Sequence, residues 1–336
     1  MTVRSRILLL GNSGQLGWEL ERALGELGGV TALDYPEIDL ARDKDLRSAI
    51  RHAAGREGSA SATRPFDLIV NAAAYTDVDR AESERDLAVA VNGKAPGILA
   101  EEAQAMGAAL VHYSTDYVFD GAKGSAYVET DQPNPPNVYG GSKLVGERAV
   151  SDVGGAHLII RTAWLYSLRR PSFVTKVLRW AADARTKGAS GRLKIVDDQI
   201  SNPTWARALA EATVRALAAG LGESRKARGI ADWIAERSGI YHLAGDGCAS
   251  RFDWAEEILM LEEGTGAREA LSLLRAKTAD FPSPAARPLL SALDCAKFLG
   301  TFGFKLSPWQ EALTRAFREA EMPLPEGQGN ASGREG

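Results

Sequence analysis

The first half of the chain alternates short apolar runs with longer segments of helical periodicity. Residues 66–71 read FDLIVN and residues 109–114 read ALVHYS, both of strand length, whereas residues 15–27 repeat apolar positions at helical spacing. Strands are also predicted at 6–10, 30–34 and 157–161, and helices at 46–54, 81–106 and 142–150. Strands that alternate with helices indicate βαβ units and a parallel sheet covered on both faces. The fold is therefore predicted to be α/β, with a doubly wound parallel sheet of the Rossmann type.

The pattern changes beyond about residue 165, where prolines and loops separate the helical segments. Helices are predicted there at 172–185, 204–219, 252–262 and 308–320. We expect this part to form a smaller domain over the carboxyl ends of the strands, while residues 221–237, which are polar, form an exposed excursion. The predicted division is 1–165 mainly for the sheet domain, 166–322 mainly for the smaller domain with some chain crossing back to the sheet, and 323–336 for a disordered tail.

The composition of the 336 residues is that of a soluble globular protein, with 45% hydrophobic and 25% charged residues. A formal net charge of −4 argues against a protein held on nucleic acid by a basic surface. No apolar run reaches the length of a membrane span or a signal sequence, so a cytoplasmic protein with no membrane partner is predicted. Cys248 and Cys295 have neither disulfide-framework nor zinc-site spacing, and the four histidines are scattered, so no metal site is predicted.

A glycine turn with Gly11, Gly14 and Gly17 directly follows the first predicted strand and precedes the first helix. Glycines at this spacing permit a tight turn and close approach of a pyrophosphate, and the helix N-terminus offers free N–H groups. The same glycines could serve the turn geometry alone, but their place between strand and helix favours a dinucleotide. Asp34 ends the second strand, where an acidic residue binds the adenosine ribose. No arginine follows it at once, which suits NADH, and Arg42 is near enough to leave NADPH open.

Tyr139 and Lys143 stand in the sequence YGGSK and would lie one turn apart on a helix. An isolated pair of this kind is most often a surface pair. Here the pair follows the fourth strand, whose carboxyl end carries Ser114 and Thr115, and doubly wound sheets bind their ligands at this edge. The context therefore favours a catalytic pair.

Several motifs, taken in order, resemble the extended short-chain dehydrogenase/reductase superfamily, and within it the dTDP-4-dehydrorhamnose reductase family. The motifs are GNSGQLGWEL at 11–20, VNAAAYTDVDRAE at 70–82, VNGKAP at 91–96, HYSTDYVFDG at 112–121, NVYGGSKLVGE at 137–147, RTAWLY at 161–166, DDQISNPT at 197–204 and PAARP at 284–288. Each motif alone is weak, but the ordered set is specific and extends from residue 6 to about residue 320. The resemblance implies an NAD(P)-binding Rossmann domain followed by a substrate-binding domain.

The resemblance also implies a reaction, the reduction of dTDP-4-dehydro-6-deoxy-L-mannose to dTDP-L-rhamnose by hydride transfer from NADPH or NADH. Tyr139 would then donate the proton to the carbonyl oxygen. Lys143, a cation one turn away, would lower the pKa of that tyrosine and hold the nicotinamide ribose. Thr115 would hydrogen-bond the carbonyl oxygen, and Ser114 is the weaker candidate for this role.

Cofactor and substrate contacts are implied by the same resemblance. The cofactor residues would be Gly11, Gly14, Gln15, Leu16, Asp34, Asp39, Leu40, Ala72, Ala73, Ala74, Tyr139 and Lys143. On the substrate side, Thr115 and Asp116 would bind the sugar, Trp164 would offer it an apolar face, and Arg287 would meet the diphosphate. Other interpretations stay open, namely close helix–sheet packing for the three alanines, a core aromatic for Trp164 and a solvated arginine for Arg287.

Other functions and partners are also compatible with these motifs. A reductase or epimerase of another nucleotide sugar would share them, and so would a non-catalytic regulatory subunit, although the intact Thr–Tyr–Lys set argues against the latter. Some members of the family are described as magnesium-linked dimers, so a homodimer fits the resemblance. Glu19, Asp197 and Asp198 carry suitable oxygens, but solvated surface carboxylates are the preferred interpretation and no Mg²⁺ is predicted.

Overall fold

The computed structural model describes residues 4–55, 65–186, 192–223, 229–264 and 272–321. Its strands are β1 Ser5–Leu10, β2 Gly28–Leu33, β3 Leu68–Asn71, β4 Ala109–Thr115, β5 His157–Thr162, β6 Leu165–Tyr166, β7 Arg192–Val196, β8 Ile200–Ser201, β9 Thr204–Trp205, β10 Gly239–His242, β11 Ala249–Ser250 and β12 Ser272–Ala276. Its α-helices are α1 Gln15–Leu24, α2 Asp43–Ala53, α3 Arg85–Val89, α4 Ala95–Met106, α5 Val138–Val153, α6 Phe173–Thr186, α7 Ala206–Glu223, α8 Ile230–Ala235, α9 Arg251–Gly264, α10 Ala296–Phe302 and α11 Trp309–Glu321. The tail predicted at 323–336 lies outside the described residues. Across the described ranges, none of the helices combines the length and the apolarity needed to cross a membrane.

Six strands form one parallel sheet in the order β10–β5–β4–β3–β1–β2. The central strand β4 is buried along its whole length, which requires helices on both faces. One apolar cluster packs Leu20 of α1 and Leu217 of α7 against the sheet, and a second packs Ile50 of α2 and Leu99 of α4 against the opposite face. The predicted α/β fold with a Rossmann-type parallel sheet is therefore confirmed.

The chain reverses its direction of strand addition at β1, because β2 lies on one side of it and β3 on the other. In open α/β sheets the crevice at such a reversal, beyond the carboxyl ends of the strands, is where ligands bind. The glycine turn after β1 and the small residues after β3 both lie at this point.

The long helix predicted at 81–106 is broken by a π-helical turn, Ala90–Lys94, between α3 and α4. The turn holds Asn92, which is buried and whose side chain hydrogen-bonds the backbone of Tyr75 in both directions and donates to Ser142 Oγ at 3.0 Å. A Cβ on Gly146 would lie 2.1 Å from the Asn92 carbonyl oxygen, so this glycine lets α5 pack directly on the turn. The irregular turn thus fixes α5, the helix that carries the Tyr/Lys pair.

The second half of the chain builds its own apolar cluster around Trp205, Trp254 and Leu313, and its short strands pair as β7 with β12, β6 with β9, and β8 with β11. It also returns to the main sheet, because β10 pairs with β5 as the edge strand and α7 packs along α1. The boundary between 165 and 166 stays a prediction.

The second half differs from the sequence prediction at several points. The sixth sheet strand, β10, and the other strands of this half are absent from the predicted strands, and α10 is absent from the predicted helices. The exposed excursion predicted at 221–237 is wrong for the segment that forms α8, because Ile230 is 2% exposed and Ile234 is fully buried. These two side chains are one helical turn apart, so a six-residue helix suffices to bury both against the sheet.

Candidate active site

A cleft of about 920 Å³ lies beyond the carboxyl ends of β1, β3 and β4. It is lined by the glycine turn, by the segment that follows β2 and by both members of the Tyr/Lys pair. Of the residues predicted for the site, the cleft-lining set is Gly11, Gly14, Gln15, Leu16, Asp34, Asp39, Leu40, Ala72, Ala73, Ala74, Thr115, Asp116, Tyr139, Lys143 and Trp164. Segments that are distant in sequence therefore line the same cleft, which is what the sequence motifs predict.

The glycine turn is shaped by close backbone approach. Gly11 has φ 83°, and a Cβ there would lie 2.6 Å from the amide nitrogen of Ala73. A Cβ on Gly17 would lie 1.9 Å from the carbonyl oxygen of Gly11, so a side chain fits at neither position. Gly14 caps α1 without a side-chain hydrogen bond, and the first turn of the helix holds no acidic residue. The positive end of α1 is therefore free to bind an anion such as a pyrophosphate.

Asp34 closes the far side of this turn. Its carboxylate accepts hydrogen bonds from the backbone N–H of Ser13 and of Tyr35, both at 2.8 Å. The carboxylate is thereby held beside the glycine turn, where the adenosine ribose of a dinucleotide would bind. Arg42, which leaves NADPH open in the sequence, is 72% exposed and pairs with Asp39 and Asp45.

The fit to a dinucleotide cofactor can be judged from polar atoms in the cleft. Gln15 Oε1 and Thr162 Oγ1 are buried and have no hydrogen-bond partner among the described residues. Both residues line the cleft, one at the start of α1 and the other at the end of β5. Buried polar atoms are normally paired, so these two fit a ligand that lies along the cleft. The residues present thus suit a dinucleotide.

The N-terminus of α5 positions Tyr139. Asn137 caps the helix by accepting a hydrogen bond from the N–H of Gly140 at 2.8 Å. A Cβ on Gly140 would lie 2.0 Å from the carbonyl oxygen of Tyr117, so α5 packs directly on the turn after β4. The ring of Tyr139 meets that of Tyr117 edge to face, with centroids 6.0 Å apart.

Burial raises the pKa of Tyr139 above its ordinary value, and the nearby Thr115 side chain partly opposes this rise. The phenol is therefore protonated at neutral pH, as a proton donor must be. The effect of Lys143 on this pKa stays a prediction. Thr115 is the neighbour that favours the phenolate.

Lys143 is buried, and its Nζ donates to the carbonyl oxygen of Tyr113 at 2.6 Å. Burial lowers the pKa of this ammonium to about 8, and the nearby Glu147 opposes that change. At neutral pH the ammonium is retained beside the cleft, where it can bind ribose hydroxyls. A pKa this close to neutrality makes its charge sensitive to what enters the cleft.

A neutral histidine lies behind the lysine, with an N–H group rather than an acceptor facing the ammonium. The amide oxygen of Asn71 accepts from the N–H of Ala73, so its Nδ2 donates to His112 Nδ1 at 3.1 Å. His112 then carries its proton on Nε2, which lies 3.4 Å from Lys143 Nζ. Burial, followed by the charge of Lys143, holds the pKa of His112 well below its ordinary value. The ring is therefore uncharged and adds no second cation to the site.

Asp116 is held by three hydroxyl groups from distant parts of the chain. Thr115 Oγ1 donates to Oδ1 at 3.1 Å, and Ser201 and Ser291 donate to Oδ2 at 3.1 and 2.5 Å. Burial raises the pKa of this carboxyl to about 6, against the effect of the hydroxyls. Asp116 thus ties the end of β4 to the second half of the chain as well as facing the cleft.

The two hydroxyls at the end of β4 have different surroundings. Ser114 Oγ donates to Glu147 Oε1 at 2.5 Å, so it is engaged away from the substrate. Thr115 Oγ1 also accepts from the N–H of Tyr117, and its side chain interacts with Tyr139. Both hydroxyl protons are thus donated to carboxylates, and the difference is that Thr115 lies beside Tyr139 in the cleft. The bond from Thr115 to a substrate carbonyl stays a prediction.

Trp164 lies in the cleft in an unusual backbone conformation. Its φ is 40°, a left-handed value that side chains other than glycine rarely adopt, and its ring stacks on that of Trp254 with centroids 5.5 Å apart. Such strain persists where the surroundings enforce it and is common at functional sites. The ring belongs to an apolar cluster and also lines the cleft. Its contact with a sugar stays a prediction.

The remaining predicted residue, Arg287, is not among those that line the cleft. Its guanidinium forms two hydrogen bonds with the Asp79 carboxylate, at 3.0 and 2.7 Å, and one with the carbonyl oxygen of Ala285. The ion pair lowers the pKa of Asp79. Contact between Arg287 and a diphosphate stays a prediction.

Among the cleft residues that are not predicted from the sequence are Tyr117 and Arg251. Tyr117 stands inside the motif HYSTDYVFDG, so its place after β4 is a signal for it. Arg251 starts α9, about 90 residues after Trp164, and no local pattern marks it.

The carboxylates considered for Mg²⁺ are engaged with protein groups. Glu19 is 6% exposed and accepts from Arg207 Nε at 3.0 Å, so it is neither solvated nor on the surface. Asp197 pairs with Lys277, and Asp198 accepts from the hydroxyl and the N–H of Thr278. Within the described part of the chain, no group of three or more His, Cys, Asp or Glu side chains is placed to hold a metal.

The doubly wound sheet, the uncapped glycine turn and the Tyr/Lys pair in one cleft define a Rossmann-type oxidoreductase of the short-chain dehydrogenase/reductase kind. Within that class, the chain belongs to the family of the RmlD substrate binding domain, whose model matches residues 5–322.

Individual relatives and solved structures agree with this membership. The chain is 40% identical to a dTDP-4-dehydrorhamnose reductase of Burkholderia thailandensis, covering 94% of this chain and 98% of that one. It is 37% identical to the reductase of the same name in Escherichia coli, covering 93% and 97%. A solved dTDP-4-dehydrorhamnose reductase from Clostridium acetobutylicum superposes with a TM-score of 0.79 at 30% identity, covering 94% of this chain and 100% of that one. Another from Bacillus anthracis, in complex with NADP, gives 0.78 at 30% identity, with the same coverage.

Proposed function

We propose that this enzyme reduces dTDP-4-dehydro-6-deoxy-L-mannose to dTDP-L-rhamnose, with NADPH or NADH as the reductant. The observation that carries the proposal is the convergence of Thr115, Tyr139 and Lys143 in the cleft that also contains the glycine turn. Membership of the family and the names of the relatives support the same reaction. The protein is thus an oxidoreductase of dTDP-rhamnose biosynthesis.

The carbonyl group of the sugar gains two hydrogens in this reaction, at carbon as a hydride and at oxygen as a proton. NAD(P)H, when bound, supplies the hydride. Tyr139 donates its phenolic proton to the oxygen, and the raised pKa of the phenol keeps that proton available at neutral pH. Thr115 turns its hydroxyl proton from Asp116 Oδ1 to the same oxygen and stabilises the charge that develops there. Lys143 holds the ribose next to the nicotinamide.

The substrate side of the cleft is proposed to use Asp116 and Trp164. Asp116 faces the sugar hydroxyls from the end of β4, while the indole offers an apolar face to the deoxysugar. The hydroxyls that hold Asp116 keep its carboxylate in one orientation. Assignments of individual residues, like the domain boundaries, belong to this proposal.

Localisation and assembly are proposed on other grounds. Cys248 and Cys295 are both free, as is usual in a reducing compartment, which supports a cytoplasmic enzyme. A homodimer is proposed from the family resemblance alone.

A coupled assay tests the function. The purified protein is mixed with the keto sugar nucleotide, generated in situ by the upstream enzymes, and the absorbance of NADH and of NADPH is followed separately. We expect one or both to be oxidised with formation of dTDP-L-rhamnose. Measurable cofactor binding with no oxidation of either would refute this reaction and favour another nucleotide sugar or a regulatory subunit.

Cofactor preference can be predicted from the carboxylate of Asp34. It is held by two backbone N–H groups beside the ribose position, so it should repel the 2′-phosphate of NADPH. Asp34→Asn removes the charge but keeps an acceptor oxygen. We expect the ratio of kcat/KM for NADPH to that for NADH to rise about tenfold. The matched control, Asp43→Asn, changes an exposed carboxylate of α2 and should leave the ratio unchanged. An unchanged ratio in Asp34→Asn would show that this carboxylate does not face the ribose.

A further inference from the structure

Arg251 places a cation against aromatic rings inside the cleft. Its guanidinium carbon lies 3.5 Å from the centroid of the Trp164 ring and 4.8 Å from that of Phe173. Such stacking holds a guanidinium flat and limits its rotation. The backbone is fixed as well, because the N–H of Arg251 donates to the carbonyl oxygen of Gln199. The cation is therefore in place before any ligand binds.

The charge of Arg251 is not neutralised by an ion pair with a described residue. Across the described ranges, no carboxylate oxygen lies within 4.0 Å of its guanidinium nitrogens. Asp116 is the carboxylate that acts on it from farther away, but the oxygens of Asp116 are engaged with three hydroxyls. Burial lowers the pKa of Arg251 to about 10, so the side chain remains a cation at neutral pH. A desolvated cation without a counterion favours an anionic ligand.

The position of Arg251 relative to the proton donor Tyr139 indicates which anionic group of a ligand it would bind. Burial raises the pKa of Tyr117 and the charge of Arg251 opposes this rise, so the two side chains lie close together, and the ring of Tyr117 in turn packs on that of Tyr139. Tyr117 therefore separates the cation from the proton donor by one aromatic side chain. A sugar with its carbonyl at Tyr139 would direct its far end, which carries the diphosphate, along Tyr117.

We propose that Arg251 is a substrate-binding residue that holds the diphosphate of the nucleotide sugar, an assignment that rests on the proposed function. The planar guanidinium can donate two parallel hydrogen bonds to phosphate oxygens, and Trp164 presents it at the required place. The other arginine considered for this role, Arg287, already donates two such hydrogen bonds to the Asp79 carboxylate. Arg251 thus supplies a charge that the protein itself does not use.

Binding of dTDP, which carries the diphosphate but no sugar, tests this proposal without turnover. Calorimetry would compare the dTDP Kd of the unmodified protein with that of Arg251→Gln and Arg251→Lys. We expect Arg251→Gln to weaken dTDP roughly 10- to 100-fold, with Arg251→Lys in between, and to leave the Kd of NADH unchanged. The matched control is Arg275→Gln. Arg275 also stacks on an aromatic ring, that of Phe252, which follows Arg251 in α9, but Arg275 does not line the cleft. It should bind dTDP like the unmodified protein.

Thymidine, which lacks phosphate, separates a diphosphate contact from general damage. Arg251→Gln should bind thymidine as the unmodified protein does, whereas loss of thymidine and dTDP binding in equal measure would overturn the proposal. An unchanged dTDP Kd in Arg251→Gln would overturn it as well. Tight dTDP binding that depends on Arg251, in a protein that fails the reductase assay, would refute the proposed reaction while supporting the diphosphate contact.

Discussion

Tyr139→Phe is expected to lower kcat for reduction of the keto sugar by a factor of about 10² to 10⁴, the range of general acid catalysis. The substitution removes the phenolic oxygen and leaves the ring, so packing against Tyr117 should be kept. The Kd of NADH should therefore change little. Steady-state kinetics give the loss of rate, and fluorescence titration with NADH gives the binding.

The control for this variant is a second buried tyrosine. Tyr241 is 4% exposed and donates its hydroxyl proton to the carbonyl oxygen of Arg237 at 2.8 Å, on the edge strand β10. Tyr241→Phe should keep kcat, since its hydroxyl has only a structural role. Near-full activity of Tyr139→Phe would remove this tyrosine from the mechanism.

The parts of the site that could be predicted are those fixed by local geometry. The glycine turn is such a part, because Gly11 and Gly17 are required by contacts within a strand–turn–helix unit. The Tyr/Lys pair is another, because residues four positions apart in a helix lie on the same face. Both needed only the correct prediction of the element on which they stand.

The parts that could not be predicted depend on contacts between distant segments. The two serines that hold Asp116 stand 85 and 175 residues away from it. Neither has a local pattern that points to a carboxylate. Strand β10 has four residues, two of them half-buried, and gains its place only by pairing with β5. The position of Arg251 could not be predicted for the same reason, because its guanidinium is held in the cleft by packing against Trp164 and Trp254.

A buried ion pair behind the catalytic helix is a further long-range feature. Glu147 follows Lys143 by one turn of α5 and accepts two hydrogen bonds from Arg161 of β5, at 2.9 and 2.6 Å. Both side chains are 1% exposed. The same carboxylate accepts from Ser114, so the pair anchors α5 to both β4 and β5. Its negative charge also opposes the loss of the Lys143 proton.

Arg161→Met is expected to lower the free energy of unfolding by about 3–5 kcal/mol, because it leaves the Glu147 carboxylate buried without its cation. Urea unfolding followed by circular dichroism measures the change. The matched control is Arg315→Met, which breaks ion pairs with Glu211 and Glu319 at an exposed position and should cost about 0.2–1 kcal/mol for each pair.

The double variant Glu147→Gln with Arg161→Met distinguishes an unpaired charge from lost packing. It removes both charges and keeps an acceptor for the Ser114 hydroxyl, so we expect it to recover at least half of the stability lost in Arg161→Met. A double variant as unstable as the single one would mean that the shape of Arg161, including its contact with the Phe119 ring at 5.0 Å, outweighs the charge. Recovery would instead show that the charge on Glu147 is tolerated only because Arg161 is present.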